Sequence, residues 1–365
     1  MKSLSIFVSN DFVHDQRMMR IAKAFADLNW QVHVFATLKK NSLALDWAQF
    51  TCTRLHIMPE KGIYFYAKMN WRFFIKALAS KSDYLLAVDT DTLMGLRIAS
   101  IIINKPLIWD CHEVFTEMPE LHHRPGVKKV WSFIEEIFAK NLSRVMCSTR
   151  GVADYLYSKR GIAAKVIHNY PSSYALMTEM EKRFSSKLIL FQGILNEGRC
   201  LPELIYSMKL LPEEFMLMIA GDGPLRPELE QIIHKENLNS RIVITGMLTP
   251  EKLKGKTVAA CLGISLLNKN HLNSAVSLAN KNLDYIMAGL PCITVNLPEY
   301  EAINKKWEVA ILLEEVSRQT VAEAISSITA DFDKYRRMHL ACIEARNYLN
   351  WEKEVIKLNE FILSL

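Results

Sequence analysis

Short apolar or β-branched runs alternate with amphipathic helical stretches from one end of the chain to the other, and this alternation restricts the fold more than any other feature. A parallel strand cannot return through a tight turn, so each needs a crossover, usually a helix. Strands are expected at 4–9, 32–36, 84–88, 107–109, 145–147 and 165–167, and again at 187–191, 215–220, 242–245, 262–266 and 292–295. Turn chemistry at Asn169, Pro171 and Ser173 separates the two sets. The pattern predicts an α/β protein with two Rossmann-like parallel-sheet domains facing across a cleft. Domain 1–170 comes first, domain 171–346 second, and a helical segment 347–365 packs back on the first. Ligands of open α/β sheets bind beyond the carboxyl ends of the strands, so the chemistry is expected between the domains.

Basic residues number 45 against 39 acidic ones. That balance suits an anionic small molecule or an acidic membrane surface and falls short of a nucleic-acid-binding profile. No apolar run reaches the ~20 residues that span a bilayer, and the chain starts in a strand-like segment instead of a signal peptide. A cytoplasmic protein is expected, with peripheral attachment at the inner face of the membrane as a further option. The seven cysteines are scattered without a Cys-x-x-Cys pair, as expected of small buried residues in a reducing compartment.

The most informative stretch runs from Ser277 to Ile293. A polar loop leads into a helix, Gly289 ends it, Pro291 enforces the stop, and an apolar strand follows. Ser277 or Asn280 can cap this helix. Its exposed amides and positive dipole end suit a diphosphate, Lys281 adds a charge in the first turn, and Asp284 can accept both hydroxyls of a ribose. An ordinary capped unit with a surface Lys–Asp pair explains the same residues.

Arg199 follows a strand in a polar loop, where a guanidinium can fork onto diphosphate oxygens or simply be solvated. Gly193, Gly221 and Gly223 let the backbone approach a ligand or turn. His112 follows the 107–109 strand beside Asp110 and Glu113, and either orients an acceptor or is a hydrogen-bonded core histidine. Asp89 and Asp91 line an acceptor pocket or, the reading favoured on pattern alone, cap the next helix. Two aspartates with one intervening residue are weak evidence for a metal site, and none is expected. The segments 61–76 and 128–138 interleave basic with aromatic residues, which fits docking at an anionic bilayer or an inter-helix core with charged edges.

Asn280-Lys281-x-Leu283-Asp284-Tyr285-x-x-Ala288-Gly289-x-Pro291 resembles the donor-binding segment of the retaining GT-B glycosyltransferases of family 4, and Asp110-Cys-His112-Glu113 with Thr116-Glu117 resembles a variant common among its bacterial surface-polysaccharide enzymes. The resemblance extends over nearly the whole chain. It includes Val166-Ile-His-Asn169-x-Pro171, Phe191-Gln192-Gly193 followed by Arg199, and Ile219-Ala-Gly221-Asp222-Gly223-Pro224. Further matches are the strand before Gly246 and His14-Asp15-x-Arg17-Met18-x-Arg20.

The resemblance implies a hexosyltransferase that moves a sugar from a nucleotide diphosphate sugar to a glycan or lipid-linked acceptor with retention, needing no metal and no cofactor beyond that donor. It assigns Arg199, Lys281, Ser277, Leu278 and Gly193 to the diphosphate, and Asp284, Asn280, Gly221, Gly246 and Met247 to the ribose and base. Asn10, Asp15, Arg17 and Glu113 fall on the acceptor side, with His112 and Asp110 at the reacting face. Four positions depart from the family pattern: Val276 stands where the first acid belongs, Asp284 replaces a glutamate, the 9–12 loop lacks a glycine pair, and Cys200 replaces a glycine. A nucleotide-sugar 2-epimerase on the same scaffold and a non-catalytic sugar-nucleotide-binding partner subunit are the alternatives, and Val276 argues for the latter.

Overall fold

The computed structural model describes residues 1–13, 15–40, 42, 44, 50–118, 121, 123–176, 179–269 and 272–365; His14 of the opening motif lies outside them. The chain divides into two compact units, Met1–Asn169 with Glu354–Leu365, and Tyr170–Lys353. Residues 347–353, grouped from sequence with the returning segment, belong to the second unit.

The first unit carries seven parallel strands: β1 (Ser3–Phe7), β2 (Gln31–Leu38), β3 (Thr51–His56), β4 (Tyr84–Val88), β5 (Leu107–Cys111), β6 (Val145–Cys147) and β7 (Lys165–Val166). Their order is β3-β2-β1-β4-β5-β6-β7, so the winding reverses between β1 and β4. The second unit carries six: β8 (Leu188–Gln192), β9 (Met216–Ala220), β10 (Ile242–Gly246), β11 (Leu262–Ser265), β12 (Cys292–Val295) and β13 (Ala310–Leu313). Here the order is β10-β9-β8-β11-β12-β13, all parallel, with the reversal between β8 and β11. Loops leaving two adjacent strands in opposite directions open a crevice, which is where open α/β sheets bind ligands.

β4, β5, β11 and β12 are buried along their whole length, as parallel strands covered on both faces must be. The sequence pattern missed β3 and β13. Both are sheet edges, and β3 (Thr-Cys-Thr-Arg-Leu-His) buries only Leu55, so it shows none of the apolar continuity of the inner strands. β5 and β8 run past their expected ends and carry Asp110 and Gln192 inside the sheets.

Glu354 ties the last segment to the first unit by accepting bonds from the backbone N and Nδ1 of His168, and Tyr84 bonds the carbonyl of Leu365. Of the aromatic residues in the two basic segments, Phe65, Phe73 and Trp131 are buried, whereas Tyr64, Trp71 and Phe133 are exposed. Among the described residues no helix is long and apolar enough to cross a membrane.

Candidate functional site

Each unit gathers polar side chains at its point of winding reversal. In the second unit the helix Asn280–Met287 starts there. Tyr285 fixes it by donating to the carbonyls of Leu190 and Ile264 on the two central strands, and its ring lies where any side chain on Gly263 would collide, 2.5 Å from the added Cβ. At the far end the buried guanidinium of Arg183 donates to the carbonyls of Ala288 and Gly289, satisfying groups a helix terminus leaves open. Gly289 takes a left-handed conformation, φ 65°, and stops the helix.

Neither Ser277 nor Asn280 caps the start. Ala279 is the N-cap residue and makes no side-chain bond to the helix; its own N–H donates to the Tyr300 hydroxyl, while Ser277 Oγ donates to the Ser274 carbonyl. Leu278 packs into the core, so a ligand at this loop would meet its backbone. Val276 ends the short helix just before.

Lys281 lies buried beneath this start. Its Nζ sits 3.9 Å from the centre of the Phe191 ring, and a Cβ on Gly193 would come 3.5 Å from it. Among the described residues it has no hydrogen-bond partner. Burial, and then the charge of Arg199, push its pKa well below the usual lysine value. Arg199 itself leaves a loop that also holds Gly198 at φ 81° and Cys200 at φ 48°, and its Nε donates to Asn196. Cys200 thus occupies a left-handed position that a glycine would fill without strain.

On the next turn, Asp284 accepts a 2.8 Å bond from Gln192 Nε2, and Gln192 Oε1 accepts from Thr257. Sequence reasoning left Gln192 without a role; the signal was a polar residue ending the apolar run Leu188–Phe191. Gly221 and Gly223 sit where neighbouring backbone leaves no room for a side chain. A Cβ on Gly221 would lie 1.8 Å from the carbonyl oxygen of Gly193, and one on Gly223 would lie 2.4 Å from that of Leu195, so both glycines let two loops touch. Gly246, the last residue of β10, takes φ 72°, and Met247 beyond it is exposed.

In the first unit, Asp15 caps the helix Gln16–Asp27 by accepting from the Met18 amide, and its other oxygen holds Asn10. Arg17, expected to face the acceptor, is instead a buried strut. Its Nε and Nη2 bind both oxygens of Asp110, and Nη1 donates to the carbonyl of Ile167. Asp110 is fully buried and also accepts from His112 Nε2 at 2.8 Å. It therefore cannot touch reacting atoms and acts by holding its two partners. Burial opposes the charge of Asp110, but Arg17 and His112 outweigh it and hold the carboxyl well below its usual range. His112 is likewise disfavoured by burial, yet Asp89 and Asp110 raise its pKa to about 9. At neutral pH it is an imidazolium between two carboxylates. Glu113 is exposed beside it.

Neither Asp89 nor Asp91 caps the following helix, contrary to the favoured reading. Asp89, at φ 56°, accepts from the His112 amide at 2.8 Å. Burial and then the neighbouring Glu113 and Asp110 charges raise it to about 6 against the pull of His112. Asp91 is buried, raised to about 7 by burial and by Asp89, and its Oδ1 has no hydrogen-bond partner among the described residues. It lines a cavity of about 310 Å³ with Ser9, Asn10, Glu60, Phe65 and Tyr66. The cavity lies beside β1 and β4, where the winding reverses. Among the described residues no group of three or more His, Cys, Asp or Glu side chains is placed to hold a metal ion.

Residues 178–341 match the family model described as glycosyl transferases group 1, and residues 16–170 match that of glycosyltransferase family 4. The chain is 22% identical to a chitobiosyldiphosphodolichol beta-mannosyltransferase of Candida albicans, over 95% of this chain and 85% of that protein. Two solved structures share the fold. Sucrose-phosphate synthase from Thermosynechococcus elongatus has a TM-score of 0.84 at 14% identity, over 100% of this chain and 99% of the other. Anabaena Alr3699/HepE in complex with UDP-glucose has a TM-score of 0.77 at 15% identity, over 100% of both chains.

Proposed function

The chain is a GT-B glycosyltransferase of the family 4-like type, and from that premise we propose that it transfers a hexose from a nucleoside diphosphate sugar to a lipid-linked glycan acceptor. The observation that carries the donor half is Lys281 Nζ, buried without a hydrogen-bond partner among the described residues at the start of a helix with no side-chain cap. Burying an amine this way is costly unless an anion completes the site, and Arg199 supplies the second positive charge. The first-turn amides and Gly193 complete a diphosphate cradle. Asp284, aligned by Gln192, takes the ribose hydroxyls, and the base lies along Gly246 and Met247. A structural neighbour bound to UDP-glucose and a curated relative named for a dolichol-linked acceptor support the same reading.

On the acceptor side, His112 is a cation at neutral pH and cannot take a proton from the attacking hydroxyl. That favours retention, in which the hydroxyl attacks from the face the diphosphate leaves and the departing phosphate takes the proton. A second reading rests on Asp91: a carboxyl raised to about 7 in a cavity is a competent general base, which would give inversion. The alternatives of a 2-epimerase and a non-catalytic binder find no support in the two matched families.

The test is incubation with UDP- and GDP-sugars, with donor loss followed by mass spectrometry and the product's anomeric configuration by NMR. Transfer or slow donor hydrolysis is expected, and Lys281→Met should suppress both. A wild-type protein that neither consumes any such donor nor gains thermal stability from any nucleoside diphosphate sinks the reading.

A further inference from the structure

Three helices of the first unit, Ile63–Ala79, Leu93–Ile102 and Pro125–Phe138, follow β3, β4 and β5. Right-handed crossovers in one winding direction place all three on the same face of the sheet, and each packs against the next. The first two meet backbone to backbone, since a Cβ on Gly95 would lie 2.5 Å from the carbonyl oxygen of Asn70. The third is locked by Trp131, buried edge-on against Tyr66 at 5.0 Å. This is a rigid platform.

Its outer side is apolar. The first helix exposes Ile63, Tyr64, Trp71 and Ile75, with Ile63 74% and Trp71 62% accessible. The second exposes Ile98, Ile101 and Ile102, and the third Val127, Val130, Phe133 and Ile137, with Phe133 63% accessible. Val127, Val130, Phe133 and Ile137, at spacings of three and four, share one stripe, as do Tyr64, Trp71 and Ile75 at seven and four, and Ile98 with Ile101 and Ile102 at three and four. Scattered surface apolar residues need no explanation, but stripes on three adjacent helices do.

The charges among them are mainly basic, with Glu136 the exposed exception. Lys68, Arg72, Lys76, Arg97, Lys128 and Lys129 lie on these helices, and the acidic residues there are Glu135, buried and bonded to Arg160, and Glu136. Long basic side chains can rest their stems on apolar surface and hold their charges at its edge, the arrangement that binds anionic headgroups. Pairing with a second copy across a two-fold axis would set positive on positive.

We propose that this three-helix face docks on an anionic lipid bilayer, with Trp71, Ile101 and Phe133 inserted among the headgroups. The cavity at Asp91 is lined by Phe65 and Tyr66, which share a turn with the exposed Ile63 and Tyr64. On the acceptor reading above, a lipid-linked substrate would reach the cavity from the surface the protein rests on.

Flotation of the full chain with vesicles tests this. Binding is expected to phosphatidylcholine vesicles containing phosphatidylglycerol, to be about tenfold weaker without the anionic lipid, and to fall as salt rises. Tryptophan fluorescence should shift to the blue and be quenched by brominated lipid, and both changes should shrink in Trp71→Phe. The triple variant W71S/I101S/F133S should lose binding at least about tenfold with unchanged thermal unfolding, and R72E/K129E should weaken it and flatten its salt dependence. Absence of binding to anionic vesicles at low salt overturns the proposal, as does a wild-type dimer that the triple variant converts to monomer. Sugar transfer to a detergent-dispersed acceptor is a separate readout, so loss of vesicle binding leaves the transferase reading standing, and loss of transfer leaves the docking face untouched.

Discussion

Lys281 Nζ lies 3.9 Å from the centre of the Phe191 ring, packed against Gly193 at the carboxyl end of β8, one of the two central strands of the second sheet. An aromatic face is a poor substitute for an acceptor oxygen, and burial together with the charge of Arg199 depresses the pKa of the amine.

Diphosphate binding should therefore carry a proton with it. In the free protein the lysine loses its proton below the ordinary value of 10.5, and an anion beside it restores that proton. Across the window between the two values, titration calorimetry in buffers of different ionisation enthalpy should show net proton uptake. Lys281→Met should abolish the uptake and weaken nucleoside diphosphate binding about 10- to 100-fold, as loss of a charged hydrogen bond does. Buffer-independent heats at every pH below 10.5 would contradict this.

Gly221→Ala should destabilise the second unit by about 1–3 kcal/mol or more, because the new methyl meets the carbonyl oxygen of Gly193 at 1.8 Å and backbone must move. Urea unfolding measures it. The displaced Gly193 should also weaken nucleotide binding, and a variant as stable as the parent would disprove the close packing.

Arg17→Met should cost about 3–5 kcal/mol, since it strands a fully buried carboxylate. Arg17→Lys should recover only part of this, because a lysine cannot reproduce the two-pronged contact with Asp110. The rank order Arg, Lys, Met in thermal unfolding is the check.

The first unit should lose stability as pH rises. His112 has a folded pKa of about 9, above its ordinary 6.5, so its contribution is full below 6.5 and disappears as pH climbs through about 9. Asp91, raised to about 7 from 3.8, has the same sign over a lower window. His112→Gln should flatten the upper part of the stability profile, and Asp91→Asn the lower part while stabilising the unit at alkaline pH. Wild-type and variant profiles that run parallel from pH 5 to 9 would remove the charged cluster from consideration.

Much of the architecture was readable along the chain, because strand and helix periodicity depends on each residue's near neighbours. The inner strands of both sheets announce themselves by unbroken apolar runs, and the helix ending at Gly289 by its glycine and proline. β3 does not, since an edge strand is buried on fewer sides and tolerates polar residues, and β13 is apolar but only four residues long, too short a run to tell apart by periodicity.

Lys281, Asp284, Arg199 and His112 were all nameable from the sequence, but what each of them touches was not. That Arg17 braces Asp110 across 93 residues, that Gly221 packs against the carbonyl of Gly193, and that Asp91 borders a cavity depend on strand order, which brings distant loops together. Burial and neighbouring charge set the protonation of these groups, and both are properties of the packed sheet ends rather than of any local stretch of sequence.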